Sequence, residues 1–541
     1  MNLQAMEPTV TQYAIQITAK DHVEINPEMP IPDVGPTQIL LKIEACGICF
    51  SDTKLMHAFE NHPRKTPITG GLTEAELAEI LTYRPGGEPV VPGHEPVARI
   101  ARVGTEVTRF EVGQRVLVQT DYRHIPTVAS NAAFGYDFDG ALAEYALVDE
   151  RMVIDPRTDE SLLIPVTEIP SSSAVALIEP WACVETAYAW PERQGPLVGG
   201  SVLVVTDGCC VLEGLDALIA GYGSRTDVVD LAEIKEGSIF DDIIYVGADA
   251  DVLEKLGPHL ANRGIMNIIT CGREFERPVN IDVGRIHYDL IRYVGTTGCN
   301  PYDGYSWIPE TCELRHNESI AIIGAAGPMG LMHTVRAATM GIEGITIDAV
   351  DVSDERLKRL EEVLAPIAAK AGVASRVLNS TATPLVENSY SYVALMVPAT
   401  PLITQAVSLA SEGAIINAFA GFAIGTTAAM DMNAMIAKRL YAVGTSGSRV
   451  QDMVTMVRRL EAGQVDTNIS LDAITGIAGV LDAIESVNNR TSQGKIMVYP
   501  QLKDLGLLRL VEIPDRFPEV GALMDGGSWT KQAEAKLLSI A

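Results

Sequence analysis

Ser319-Ile-Ala-Ile-Ile-Gly324-Ala-Ala-Gly327-Pro328-Met329-Gly330 is an apolar run that breaks into a glycine-spaced turn and then into helix-favouring sequence. A phosphate needs backbone N–H donors at close range. Glycines let the chain turn tightly, and the N-terminus of the following helix adds a positive dipole. A second apolar run, Ile345 to Val350, ends at Asp351, 21 residues past Gly330. A carboxylate there accepts from a ribose 2′-hydroxyl and repels a 2′-phosphate. The stretch therefore reads as the first strand, turn and helix of an NAD site. Gly324, Gly327, Pro328, Met329, Gly330 and Asp351 are the cofactor-binding candidates.

Part of this pattern occurs twice. Asp289-Leu-Ile-Arg-Tyr-Val-Gly295-Thr-Thr-Gly298 matches Lys438-Arg-Leu-Tyr-Ala-Val-Gly444-Thr-Ser-Gly447, 149 residues later. The front strands, starting at Ser201 and Ser319, are only 118 residues apart, so the first copy lacks 31 residues behind its first strand. A repeat of this length is a duplicated domain. The turn after Ser201-Val-Leu-Val-Val-Thr-Asp-Gly208 has no glycine spacing, and the first copy is expected to bind no nucleotide. Cys209 and Cys210, in that turn, read as buried strand-end residues.

The 541 residues require several domains, and 47% hydrophobic with 21% charged residues is the balance of a globular protein. A net charge of −29 argues against nucleic acid or an acidic membrane surface as partner. No segment reads as a membrane span or a secretion signal, which favours the cytoplasm. Eight irregularly spaced cysteines do not form a disulfide framework.

Residues from about 11 to 160 read as short strands with turn residues between them, interrupted by a polar insert at 58–88 whose Thr73–Tyr83 part has helical spacing. Helical pattern follows over Thr167–Trp190. From Ser201 strands and helices alternate, the pattern of parallel sheets with crossover helices. Glu310–Asn317 reads as a polar linker between the two copies. A helix over Ile477–Asn489, a strand over Gly494–Pro500 and a tail ending in helix complete the chain.

Three fragments carry metal-binding side chains: Gly47-Ile-Cys49-Phe-Ser51-Asp52, Gly93-His94-Glu95 and Leu177-Ile-Glu179-Pro180. Thiolate, imidazole and carboxylate form a zinc set that can leave one position open for water or substrate. Cys46 precedes Cys49 in a CxxC spacing, but the four ligands of a closed zinc site are not nearby.

These fragments, with Val103-Gly104-Thr-Glu-Val107 to Gly113-Gln-Arg115-Val116 and Gly140-Ala-Leu-Ala-Glu-Tyr145, resemble the medium-chain dehydrogenase/reductase superfamily of zinc-dependent alcohol and polyol dehydrogenases. The resemblance covers about residues 11 to 500. Ile178-Glu179-Pro180 resembles the sorbitol-dehydrogenase-like members, and the Gly324–Gly330 loop resembles that of sorbose-phosphate reductases. The implied fold is α/β plus β, a GroES-like β-barrel catalytic domain with two tandem Rossmann-type doubly wound domains. The expected domains are 1–195 (catalytic, with 58–88 inserted), 196–315 (degenerate Rossmann-like), 316–463 (NAD-binding) and 464–541 (return to the catalytic domain plus tail).

By that resemblance zinc is held by Cys49, His94 and either Glu95 or Glu179, while Asp52 orients His94. Ser51 bonds the substrate oxygen and relays its proton. Lys54 stands where the family often has a relay histidine and is assigned to an anionic substrate. The implied reaction is hydride transfer between NAD and a secondary alcohol or ketone of a polyol, sugar or sugar phosphate. The same residues would serve a lyase or epimerase that oxidises its substrate transiently. A non-catalytic scaffold derived from a dehydrogenase is the rival of another class. Family members commonly pair through the edge strand near Gly444, so the resemblance implies either a homo-oligomer or a first copy that substitutes for the partner.

Overall fold

A computed structural model describes residues 10–206, 208, 211–229 and 234–540. Cys209 and Cys210 lie outside the described residues. The chain forms two compact units, Met1–Ala182 with Ser448–Ala541, and Cys183–Gly447. No helix among the described residues is long and apolar enough to cross a membrane.

In the first unit the strand Gln38–Ile48 is the hub. Its apolar residues Ile39, Leu41, Ile43, Cys46 and Ile48 are buried in one core with Val116, Ile496 and Val498. It pairs antiparallel with Glu95–Val103, Tyr145–Asp149 and Lys495–Val498. The last of these comes from the far end of the sequence. The return begins earlier than expected, at Ser448 rather than after Gly463. The Gln119 side-chain amide donates to the Ser448 carbonyl at 3.0 Å, and the Thr167 N–H donates to Glu461 at 2.8 Å.

The insert carries a shorter helix than its spacing suggests, Glu74–Glu79 instead of 73–83. Thr73 and Glu76 cap each other in a capping box. The helix buries no residue of its own, whereas Ile80 and Thr82 just beyond it are drawn into the β core. Lys65 is fully buried, its ammonium donating to the Glu88 carbonyl at 2.7 Å. Nearby Asp137 is also fully buried. One of its oxygens accepts from the Ala133 N–H at 2.7 Å, and the other has no partner. Burial raises the Asp137 carboxyl from 3.8 to about 7, against its backbone hydrogen bonds and the charges of Arg64 and Lys65. The folded protein therefore holds this proton more tightly than the unfolded chain does. The sign follows: stability falls as pH rises from about 4 to 7, by about 4 kcal/mol for this group alone. Asp137→Asn is expected to raise the melting temperature relative to wild type at pH 8 and to lose that advantage progressively down to about pH 4. An advantage independent of pH would contradict the assignment.

The second unit contains two parallel sheets. One runs in the order Ala374–Asn379, Thr346–Asp351, Ser319–Ile323, Tyr390–Leu395, Ala410–Asn417, Tyr441–Val443. Ranked by position in the chain this is 3-2-1-4-5-6, the order of the doubly wound dinucleotide fold. The other sheet runs Arg225–Val229, Ser201–Thr206, Phe240–Val246, Leu260–Ile269, Arg292–Thr296. This is the same order without the outermost strand. Only residues 230–239 separate Arg225–Val229 from Phe240–Val246. The corresponding stretch of the other sheet holds the helix Asp354–Ala371 and the strand Ala374–Asn379.

The unit starts at Cys183, not at 196, because residues of the helix Ile178–Ala189 bond into it. The Glu185 carboxylate pairs with buried Arg336 at 2.8 Å, and the Tyr188 hydroxyl meets His333 Nδ1 at 2.9 Å. The expected linker at 310–317 is not a free one. It buries Cys312 and Leu314, and Glu313 is the second carboxylate on Arg336. Cys271 is disulfide-bonded, whereas Cys46, Cys49, Cys299 and Cys312 are free thiols.

Candidate metal centre and nucleotide loop

Cys49 ends the strand Gln38–Ile48 and caps the helix Phe50–Ala58. His94 and Glu95 open the neighbouring strand. The pairing sets Gly47 opposite Glu95. A Cβ on Gly47 would lie 2.1 Å from Glu95 Oε2, so only glycine leaves the carboxylate room. Gly93 has φ +98°, and a Cβ there would meet the Leu142 backbone nitrogen at 2.8 Å. Two glycines thus bring Cys49, His94 and Glu95 together, with one ligand atom of each within 4.8 Å of the others.

Asp52 organises the group from behind. One of its oxygens accepts from the Cys49 N–H at 2.9 Å. The other accepts from the Gly93 N–H at 3.2 Å and meets His94 Nδ1 at 3.1 Å. This fixes the ring and leaves Nε2 for a metal, the role the sequence assigned to Asp52. Burial opposes the Asp52 charge, but His94 and these hydrogen bonds hold its pKa below the ordinary value.

Glu95 is fully buried. Its Oε1 pairs with Lys495 Nζ at 2.5 Å, and its Oε2 has no hydrogen-bond partner. Lys495 is buried too. Burial works against its charge, but Glu95, Cys49 and Glu179 outweigh it and raise the pKa. Sequence reading missed this lysine, and its signal was a cation inside the otherwise apolar strand Lys495–Val498. An orphaned carboxylate oxygen beside a thiol and an imidazole nitrogen is a donor set that suits zinc.

Glu179 is not in the three-residue group. It is the second residue of the helix Ile178–Ala189, buried and close enough to act on Lys495. The short helix before it, Ser172–Ala176, is held by the C-terminal tail. Glu534 accepts from the Ser172 and Ser173 N–H groups at 2.6 and 2.9 Å, and from the Tyr499 hydroxyl at 2.7 Å. Cys46 points into the core, where burial drives its thiol pKa far up. It is not part of the metal group.

Ser51 is half-buried in the first turn of the Phe50–Ala58 helix, and Lys54 is exposed on the next. The Lys54 ammonium and the Arg490 guanidinium lie 5.7 and 5.6 Å from the Phe50 ring centre. Of the three histidines near the insert, His62 joins this neighbourhood. Its ring lies 5.2 Å from that of Tyr136, which in turn is 5.3 Å from His94. Arg64 sits 5.1 Å over the same Tyr136 ring. Burial, then the charges of Arg64, Lys54 and Lys65, lowers His62 to about 3, so it is neutral at physiological pH. His57 bonds Asp21 and Asn488 instead, and His124 is buried elsewhere.

In the second unit the glycine loop lies between the strand Ser319–Ile323 and the helix Pro328–Thr339. Gly324 has φ +84°. A Cβ on Gly330 would sit 2.2 Å from the Gly324 carbonyl oxygen, so helix and strand approach only through glycine. A Cβ on Gly327 would meet the Gly324 carbonyl oxygen at 3.6 Å, an ordinary contact, so this face of the turn is not crowded by other groups. Pro328 and Met329 form the first turn of the helix. Asp351 ends the second strand, and its carboxylate accepts from the Ala326 N–H at 3.2 Å, tying the loop to that strand.

Comparison with known proteins bears on the first unit most directly. Residues 35–157 match the alcohol dehydrogenase GroES-like domain. Over 182 residues the chain is 28% identical to D-altritol 5-dehydrogenase of Agrobacterium fabrum, covering 32% of this chain and 44% of that protein. It is 32% identical over 139 residues to an alcohol dehydrogenase of Rhizobium meliloti, covering 23% and 34%.

The chain carries an alcohol dehydrogenase GroES-like domain.

The first relatives are matched over less than half of their length. A longer match, 25% identical over 357 residues, is to mannitol-1-phosphate 5-dehydrogenase of Aliivibrio fischeri, covering 56% of this chain and 79% of that one. Among solved structures, 2R,3R-butanediol dehydrogenase of Bacillus subtilis aligns with a TM-score of 0.53 at 15% identity. The alignment covers 91% of this chain and all of that one, a likeness of fold.

Proposed function

We propose that the protein is a zinc-dependent oxidoreductase that moves hydride between NAD and a secondary alcohol or ketone of a polyol, sugar or sugar phosphate. The observation that carries this reading is the Cys49–His94–Glu95 group, with Asp52 fixing His94 and an unpartnered Glu95 oxygen. Bound there, zinc would supply Lewis acidity that lowers the pKa of a substrate hydroxyl. The protein's own residues do the rest. Asp52 holds the imidazole so that Nε2 is available. Lys495 pairs with one Glu95 oxygen and leaves the other for a metal. Ser51 accepts the substrate hydroxyl proton and passes it outward. Glu179, near Lys495, is the second carboxylate of the site and can exchange with Glu95.

On the nucleotide side, the 319–443 sheet is read as the NAD-binding Rossmann domain, with Gly324, Gly327 and Gly330 cradling the pyrophosphate. Asp351 selects NAD over NADP by accepting from the ribose and repelling a 2′-phosphate. The 201–296 sheet is read as a second copy of that fold, without the glycine loop. The substrate class rests on two supports. Relatives act on altritol and mannitol 1-phosphate by name. Lys54 and Arg490, both exposed around Phe50, offer charge to a phosphate in a protein of net charge −29.

The test is NADH formation at 340 nm by the zinc-loaded protein across polyols, sugars and sugar phosphates. Net accumulation of NADH with a secondary alcohol is expected, with NAD preferred over NADP by about tenfold or more, on the scale of one hydrogen bond to a charged group. Turnover of a substrate with no NADH released would move the assignment to transient oxidation.

A further inference from the structure

We propose that the 201–296 half is a built-in partner: it fills a two-fold interface on the 319–443 half, so that the chain is a monomer whose pairing face is closed internally. Val279–Asp282 pairs antiparallel with Thr427–Met430. By the offset of 149 residues, Val279 corresponds to Ala428 and Ile281 to Met430. The register sets Val279 against Met430 and Ile281 against Ala428, so each contact recurs with the roles exchanged.

The same exchange holds elsewhere. A Cβ on Gly295 would lie 3.1 Å from Ile436, and one on its counterpart Gly444 would lie 2.8 Å from His287, the counterpart of Ile436. Phe275 exchanges two backbone hydrogen bonds with the Asn433 side chain, both 2.9 Å. Their counterparts are Ile424 and Gly284, and a Cβ on Gly284 would lie 2.8 Å from Ile424. An interface in which i meets j and j meets i is isologous, the kind that joins two identical subunits. Here both sides belong to one chain, and their apolar residues form one core.

Residues on such an axis meet their own counterparts, and there the halves have diverged. Asn280 faces its counterpart Ala429. Arg292 and its counterpart Tyr441 share one carboxylate. Glu192 takes the Arg292 guanidinium at 2.8 and 3.0 Å and the Tyr441 hydroxyl at 2.7 Å. Arg292 is 2% exposed, so the pair is desolvated. Two copies of the first half would set arginine against arginine at this buried point, and two of the second would leave no cation for Glu192. A buried unpaired charge is costly, which disfavours either homodimer and favours the internal pair.

The test combines sedimentation of the wild-type chain at micromolar concentration with oxidation of the double variant Asn280→Cys/Ala429→Cys. Opposed residues of an antiparallel pair lie within disulfide range. The expected result is a single species of 58.1 kDa and a 280–429 link mapped by mass spectrometry within one chain. A dimer, whichever way the link forms, would overturn the proposal. So would a monomer in which the two cysteines fail to link.

Discussion

Lys495→Met is expected to destabilise the metal-free protein by about 3–5 kcal/mol, because it leaves the Glu95 carboxylate buried without a counter-charge. Glu95 has no exposed surface, and its second oxygen already lacks a partner. Water therefore cannot replace the lost ammonium, and a methionine of similar length fills the volume but not the charge. The double variant Lys495→Met/Glu95→Gln should recover most of the loss, since breaking a buried pair costs far more than removing it whole. Zinc should also reduce the loss by giving Glu95 another cation. Thermal unfolding of both variants, with chelator and with added zinc, measures all three effects. A loss below about 1 kcal/mol with chelator would show that the pair is solvated and that Glu95 is not held as a ligand.

Cys49→Ala is expected to remove bound zinc and lower turnover by about three orders of magnitude, the scale on which preorganised charge stabilisation acts. Its effect on the fold should be small. Cys49 is only half-buried, and the backbone N–H it donates to the Asp52 carboxylate at the helix cap is one that alanine keeps. Cys46→Ala is the control. Cys46 is fully buried in the core, so that change should cost about 1 kcal/mol of stability and leave the zinc in place. Metal analysis and melting curves of the two variants separate the roles. If Cys49→Ala retains zinc, or Cys46→Ala loses it, the ligand set is wrong.

Local pattern made much of this legible. The glycine loop, the duplicated Gly295 and Gly444 segments and the Cys49 and His94 fragments carry their chemistry within a few residues of sequence, and the structure brings Cys49, His94, Glu95 and Asp52 together. The shortfall of the first copy could be located because two offsets disagreed. What stayed hidden depends on distant pairing. Lys495 reaches Glu95 because the strand Lys495–Val498 returns beside Gln38–Ile48, and nothing near residue 495 announces that neighbour. The Tyr136 ring lies 5.2 Å from that of His62 and 5.3 Å from that of His94, and His62 comes from the insert, whose sequence has no motif. Glu534 reads as one more acidic residue of a tail helix, yet it caps the helix before Glu179 across more than 360 residues of chain. Glu179 lies beside Lys495 and outside the three-residue group, a placement that spacing along the sequence does not give.

The most direct test of the central claim is zinc content and X-ray absorption on the wild-type protein after reconstitution and removal of loose metal. About one zinc per chain is predicted, with one sulfur at about 2.3 Å and nitrogen or oxygen ligands at about 2.0–2.1 Å. No retained zinc, or a zinc surrounded by sulfur alone, would contradict the Cys49–His94–Glu95 centre.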